Sequence, residues 1–138
     1  MKGLKDKVVI VTGGAGGIGS ATCRRLAEEG AKVAIFDMNM TAAEQLAQEI
    51  NQQNGQALAV QCDITNHNTV EQAVQQVESQ LGPVDGLVNN AGWDIFKPFV
   101  KTNPQEWDKL IQINLVGMLN MHFAVLKGMV ERNTGSIV

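Results

Sequence analysis

Residues 12–19 read TGGAGGIG and follow directly on the run Lys7-Val8-Val9-Ile10-Val11. Five glycines in eight positions carry a cost, because glycine forfeits more backbone entropy on folding than any other residue, about 0.5–1 kcal/mol against alanine in regular structure. At the end of a buried strand such a run needs a compensating use. Glycines between a strand and a helix let the chain turn tightly and bring a phosphate close to main-chain N–H groups. They also let helix and strand pack with no side chains between them.

The surrounding pattern supplies that strand and that helix. Residues 7–12, 32–37, 57–62 and 85–89 are short and apolar on both faces, as buried parallel strands are. Between them the period becomes helical. One helix opens at Ile18 and runs to about Glu29. Ala43, Leu46, Ala47 and Ile50 fall at i, i+3, i+4 and i+7, and Val70, Ala73, Val74 and Val77 repeat the spacing within a helix over 66–80. Thr41 and Glu44 have the form of a capping box, with Gly55 as the stop signal. Asn103, Pro104 and Glu106 mark the start of a longer helix over 104–131. Alternation of this kind predicts a doubly wound parallel α/β sheet with right-handed crossovers, the fifth strand only begun at residues 135–138.

The length of 138 residues and 44% hydrophobic content fit one domain over 1–138. A net charge of -3 offers no bulk attraction to nucleic acid or anionic lipid. No run approaches the roughly 20 apolar residues of a bilayer span, since 115–126 is interrupted by Gly117, Asn120 and His122. Cys23 and Cys62 form no C-x-x-C, and the opening MKGLKDKVVIVTGG passes from charge straight into strand and glycine. A cytoplasmic protein with reduced thiols is the expectation. The sequon Asn39-Met40-Thr41 is then a chance match.

Gly14-Ala15-Gly16-Gly17-Ile18-Gly19 satisfies G-x-G-x-x-G, a pattern that is weak alone. Its context strengthens it, because it follows a strand, opens a helix and lies about 20 residues before Asp37 at the end of the second strand. A carboxylate there accepts from both hydroxyls of an adenosine ribose and repels a 2′-phosphate, so NAD is favoured over NADP. Ala15 and Met38 stand where a base would hold the extra phosphate. The bland alternative is a glycine-rich turn beside a solvated Asp. No G-K-[ST] closes the run, which excludes a P-loop.

Thr12-Gly13, three residues, then Gly17-Ile18-Gly19 resembles the T-G-x-x-x-G-x-G loop of short-chain dehydrogenases/reductases. Asp63-Ile64, Asn89-Asn90-Ala91-Gly92 and Asn114 follow in the order of that family. The resemblance implies a sheet of the Rossmann type, strand order 3-2-1-4-5, and an NAD-dependent oxidoreductase that interconverts a secondary alcohol and a ketone. It implies that Thr12, Gly13, Ala15, Gly16, Gly17, Ile18, Gly19, Asp37, Met38, Cys62, Asp63, Ile64, Asn90, Ala91 and Gly92 border the cofactor. By the same resemblance, Asp63 meets the adenine amino group, Ile64 lines the ring, Asn89 to Gly92 steady the sheet, and Asn114 holds a water in a proton relay. The N-A-G-W-D segment looks similar to members acting on hydroxyacyl thioesters; sugars, steroids and small diols stay open.

The resemblance also implies a catalytic Ser, Tyr and Lys beyond the fifth strand. The sequence contains no tyrosine, and Ser136 lies too early for that Ser. The expectation is therefore an N-terminal portion of a longer enzyme, inactive alone. The rival readings are a dinucleotide-binding sensor or assembly partner, and an inert folding fragment. Apolar residues from Leu110 to Val130 circle most of the long helix, so its outer side needs a cover. A second subunit of a dimer or tetramer, or further chain, is expected there; a loop of this chain is the alternative. No metal site is expected. His67 reads as a surface residue, His122 as a packing or interface residue, Trp107 as a core anchor, and Trp93 and Asp94 as substrate contacts or loop anchors.

Overall fold

The computed structural model describes residues 3–138. Five parallel strands lie in the order β3-β2-β1-β4-β5: β1 Val8–Thr12, β2 Lys32–Asp37, β3 Gln56–Gln61, β4 Val84–Val88 and β5 Ser136–Ile137. The helices between them are α1 Gly17–Glu28, α2 Met40–Gln52, α3 His67–Gln80, α4 Pro104–Ile111 and α5 Gly117–Glu131. Alternation along β1 explains the two layers. Val9 and Val11 face Cys23, Leu46 and Ile50 of α1 and α2, while Val8 and Ile10 face Val70, Val74, Met121 and Val125 of α3 and α5. Successive side chains of a strand point to opposite faces, so a strand covered on both reads as one apolar run. β1 and β4 are tied at their entry by Asp85, whose carboxylate accepts from the Val8 N–H at 3.0 Å and the Lys7 ammonium at 3.1 Å.

Three local expectations change. The cap of α2 is Asn39, whose side chain accepts from the Ala42 N–H at 3.1 Å; Thr41 already lies inside the helix, where its hydroxyl cannot reach the amides ahead of it. At the far end Asn54, φ 62°, takes the left-handed position, and Gly55 is required by space instead, because a Cβ there would stand 2.5 Å from the Ile50 Cγ2. Trp107 is not a core anchor. It stacks on Phe99 with ring centroids 5.4 Å apart and donates from Nε1 to the Thr102 hydroxyl at 2.7 Å, fixing the loop ahead of α4. The capping box of α4 forms as the sequence indicates, Asn103 and Glu106 satisfying each other's backbone amides.

Pro104–Glu131 is one helical run of 28 residues, which by length and composition alone could cross a bilayer. Its residues Gly117, Met121, Val125 and Met129 instead bury onto the sheet. A π-helical turn, Gln112–Val116, separates α4 from α5. The outward side keeps Ile111, Leu115, Leu119, Phe123, Leu126 and Val130 exposed. His67 lies half-exposed at the start of α3, its ring 5.2 Å from that of Phe123.

Candidate functional site

At the carboxyl ends of β1 to β4 the chain leaves a cleft of about 1050 Å³. β1 ends in Thr12, and Gly13 follows with φ 60°, a left-handed shape that favours glycine, and a Cβ there would stand 3.0 Å from the Ala91 Cα. Gly16 then leads, in extended conformation, into α1. Gly19 packs so closely that a Cβ would stand 2.2 Å from the Gly13 carbonyl oxygen and 2.8 Å from the Asn90 amide nitrogen. A Cβ on Gly17, by contrast, would meet nothing within 4 Å. No side chain caps the start of α1, so the amides of its first turn have no intrahelical acceptor and point, with the positive end of the helix dipole, into open space.

Thirteen of the residues picked out above line this one cleft: Gly13, Gly16, Gly17, Ile18, Gly19, Asp37, Met38, Cys62, Asp63, Ile64, Asn90, Ala91 and Gly92. The remaining three, Thr12, Ala15 and Asn114, hold the others. The Thr12 hydroxyl, 1% exposed, accepts from the backbone N–H groups of Asn90 at 3.1 Å and Ala91 at 3.0 Å. Asn90 answers by donating to the carbonyls of Thr12 and Gly13. The Ala15 N–H donates to Asp37. Asn114 sits in the π-helical turn and brackets Trp93, accepting from its N–H at 2.9 Å and donating to its carbonyl at 2.8 Å. Its side chain thus positions the segment after β4.

Asp37 is the main polar group at the second strand's end. One of its oxygens accepts from Ala15 and the other from the Asn39 N–H at 2.9 Å; each carboxylate oxygen retains a lone pair for a further donor. Asp63 is turned partly inward, one oxygen accepting from the N–H and the hydroxyl of Thr65. Cys62 is buried, and that burial pushes its thiol up to about 12, with the Asp63 charge adding to the shift. It borders the cleft as an inert apolar wall.

Sequence reasoning missed Phe36, Thr65, Lys109, Gln112 and Ile113, which also line the cleft. Lys109 and Ile113 are four apart on one helix face, a signal that was available; the tertiary fold alone brings that face to the strand ends. Trp93 lines the cleft too, with the Lys109 ammonium 4.0 Å from its ring centroid. His122 is a packing residue: Nε2 lies 3.0 Å from the side-chain amide of Asn89. Among the described residues no cluster of His, Cys, Asp or Glu could hold a metal ion.

Bare helix-end amides suit an anion, the Asp37 carboxylate suits paired hydroxyls, and Ile64, Ala91 and Ile113 offer apolar surface to a flat ring. These features define a nucleotide-binding α/β fold with its site at the topological switch point. Residues 7–138 match the short chain dehydrogenase family, and the chain belongs to it. It is 40% identical over 135 residues to cyclopentanol dehydrogenase of Comamonas sp., covering 98% of this chain and 54% of that protein. A crystal structure of NAD+-bound xylitol dehydrogenase superposes with TM-score 0.93 at 35% identity, over 99% of this chain and 53% of the other. A gluconate 5-dehydrogenase from Burkholderia cenocepacia, in complex with NADP and tartrate, superposes with TM-score 0.90 at 34% identity, over 96% and 52%. The chain spans about half the length of the relatives it matches.

Proposed function

We propose that the cleft binds NAD and that the chain is the N-terminal, cofactor-binding part of an oxidoreductase that interconverts a secondary alcohol and a ketone. The observation that carries this reading is the pairing of uncapped amides at the start of α1 with the Asp37 carboxylate across the glycine loop. The amides take the diphosphate and Asp37 takes the two hydroxyls of the adenosine ribose. Bound NAD supplies the hydride acceptor. This chain's residues bind and orient: Gly17 leaves room for phosphate, Asp63 and Ile64 border the adenine, Ala91 and Gly92 pass close to the ribose, and Asn114 steadies the Trp93 backbone beside the reaction space.

The relatives do not choose the substrate class. Their names state cyclopentanol and xylitol in two cases and acetoacetyl-CoA in a third, so a small alcohol and a hydroxyacyl thioester both stay open. The neighbours hold NAD+ in one case and NADP in another, so the coenzyme preference rests on Asp37 and on the uncharged Ala15 and Met38 beside it. Proton transfer to the carbonyl needs a positioned acid. With no tyrosine in these 138 residues, that group belongs to a longer polypeptide, and the chain alone binds without turnover.

Titration of this chain with NADH and NADPH, followed by cofactor fluorescence, tests the reading. Saturable NADH binding that is tighter than NADPH binding is expected. No binding, or tighter NADPH binding, would sink it. The exposed stripe from Ile111 to Val130 supports a second proposal, a homo-oligomer joined through α4 and α5. Light scattering should give a dimer or tetramer, and Leu119→Lys a monomer.

A further inference from the structure

We infer that Asn120 is a positioning residue for the adenine side of the cleft, acting through Ile64. The inference rests on the nucleotide reading above and adds a residue that does not itself border the cleft. The Asn120 side chain donates from Nδ2 to the Ile64 carbonyl oxygen at 2.9 Å, a partly buried bond across 56 positions of sequence. One turn earlier on α5, Gly117 leaves the space into which the Ile64 side chain packs. A Cβ there would stand 2.6 Å from Ile64 Cδ1 and 2.7 Å from Cγ1. One turn of one helix therefore holds Ile64 twice, at its backbone and at its side chain.

The turn after β3 is tied to the sheet at its first residue, where the Cys62 N–H donates to the Asp37 carbonyl at 3.1 Å, and beyond that its other bonds are to its own neighbourhood. Asp63 accepts at Oδ1 from Thr65 and at its carbonyl from the Thr69 hydroxyl, bonds that shape the turn but do not set its height over the sheet. Asn120 sets that height. The same helical run carries Ile113 into the cleft through the π-helical turn, so the walls at Ile64 and Ile113 are referenced to one rigid element. A slot for a flat ring loses contact steeply when a wall moves by even 0.5–1 Å or so. Replacing the amide also leaves the Ile64 carbonyl without its partner.

The test is an NMR titration of this chain with AMP, which carries the adenine half alone. Asn120→Leu keeps the branched shape of the side chain, with somewhat more bulk, and removes the donor. AMP should bind about tenfold more weakly, while the amide signals of Gly17, Ile18 and Gly19 keep their positions. Gly117→Ala, which leaves Asn120 in place and displaces the Ile64 side chain, should weaken AMP similarly, and it decides the matter if Asn120→Leu fails to fold. A role in folding alone would lower the melting temperature and leave the AMP dissociation constant of the folded molecule within twofold; that result overturns the inference. So does a parallel shift of the Gly17 to Gly19 signals, which would mean the whole cleft had moved. Failure of the unaltered chain to bind AMP would overturn the nucleotide reading and this inference together.

Discussion

The backbone N–H of Ala15 donates to the carboxylate of Asp37 at 3.0 Å, joining the glycine loop to the end of the neighbouring strand. The side chain proposed to choose the coenzyme also sets the shape of the loop that would grip its diphosphate. Asp37→Ala removes both effects. Its discrimination between NADH and NADPH should fall by about 1–3 kcal/mol, the worth of charge-assisted bonds and repulsion lost together. NADH should also weaken through the loosened loop. Parallel fluorescence titrations check this, and an unchanged ratio of the two dissociation constants would remove Asp37 as the discriminator.

Two glycines of the loop should behave oppositely. At Gly19 a Cβ would press on the Gly13 carbonyl and on Asn90, so Gly19→Ala should destabilise the fold by about 1–3 kcal/mol, the usual range for overpacking. At Gly17 the same atom would meet open space. Gly17→Ala should melt close to the parent and yet bind NADH at least tenfold more weakly, because its methyl group stands where a phosphate would lie. Thermal unfolding paired with titration separates the cases; strong NADH binding by Gly17→Ala would place the diphosphate elsewhere.

The elements of the sheet and the glycine loop were legible because both arise from local rules, whereas the order of the strands came with the family resemblance. A buried parallel strand is a short apolar run, an amphipathic helix repeats at three and four, and a left-handed turn favours glycine. Asn103 with Glu106 was legible for the same reason. What escaped was decided by tertiary contact, apart from the cap of α2. There the spacing of Thr41 and Glu44 masked Asn39, a residue type that ranks ahead of threonine as an N-cap and that caps α2. Trp107 has a core residue's composition, but Phe99 and Thr102 draw it to the loop. Lys109 and Gln112 reach the cleft because the long helix crosses the strand ends, a fact no local window contains. The π-helical turn at Gln112–Val116 leaves no mark in an apolar periodicity that continues through it.

Thr12 shows how the polar frame beneath the cleft is built. Its buried hydroxyl accepts from two amides of the segment after β4; Thr12→Val would leave the Ala91 amide dry, while the Asn90 amide keeps its bond to the Val88 carbonyl at 3.1 Å. The loss should be about 1–3 kcal/mol for an amide that finds no water. Thr12→Ser keeps the oxygen and should cost far less. Urea unfolding measures the difference, and a valine variant as stable as the serine one would show that the Ala91 amide finds another partner.

The two thiols give a prediction with a definite sign. Burial pushes Cys23 and Cys62 from 9.0 up to about 12, the Arg24 charge partly offsetting the shift at Cys23 and the Asp63 charge adding to it at Cys62. The folded chain therefore keeps its thiol protons where the unfolded chain releases them. Stability from this source is fully present below pH 9.0 and is lost as pH climbs toward about 12, because the unfolded state binds fewer protons throughout that window. Only the thiolate attacks iodoacetamide. At pH 8 both cysteines should resist alkylation in the folded chain and react readily once urea unfolds it, as intact-mass measurement would record. Rapid labelling of Cys62 in the folded chain would mean that the wall of the cleft beside Asp63 opens to solvent, and adding NADH should then slow the reaction if the nucleotide lies against it.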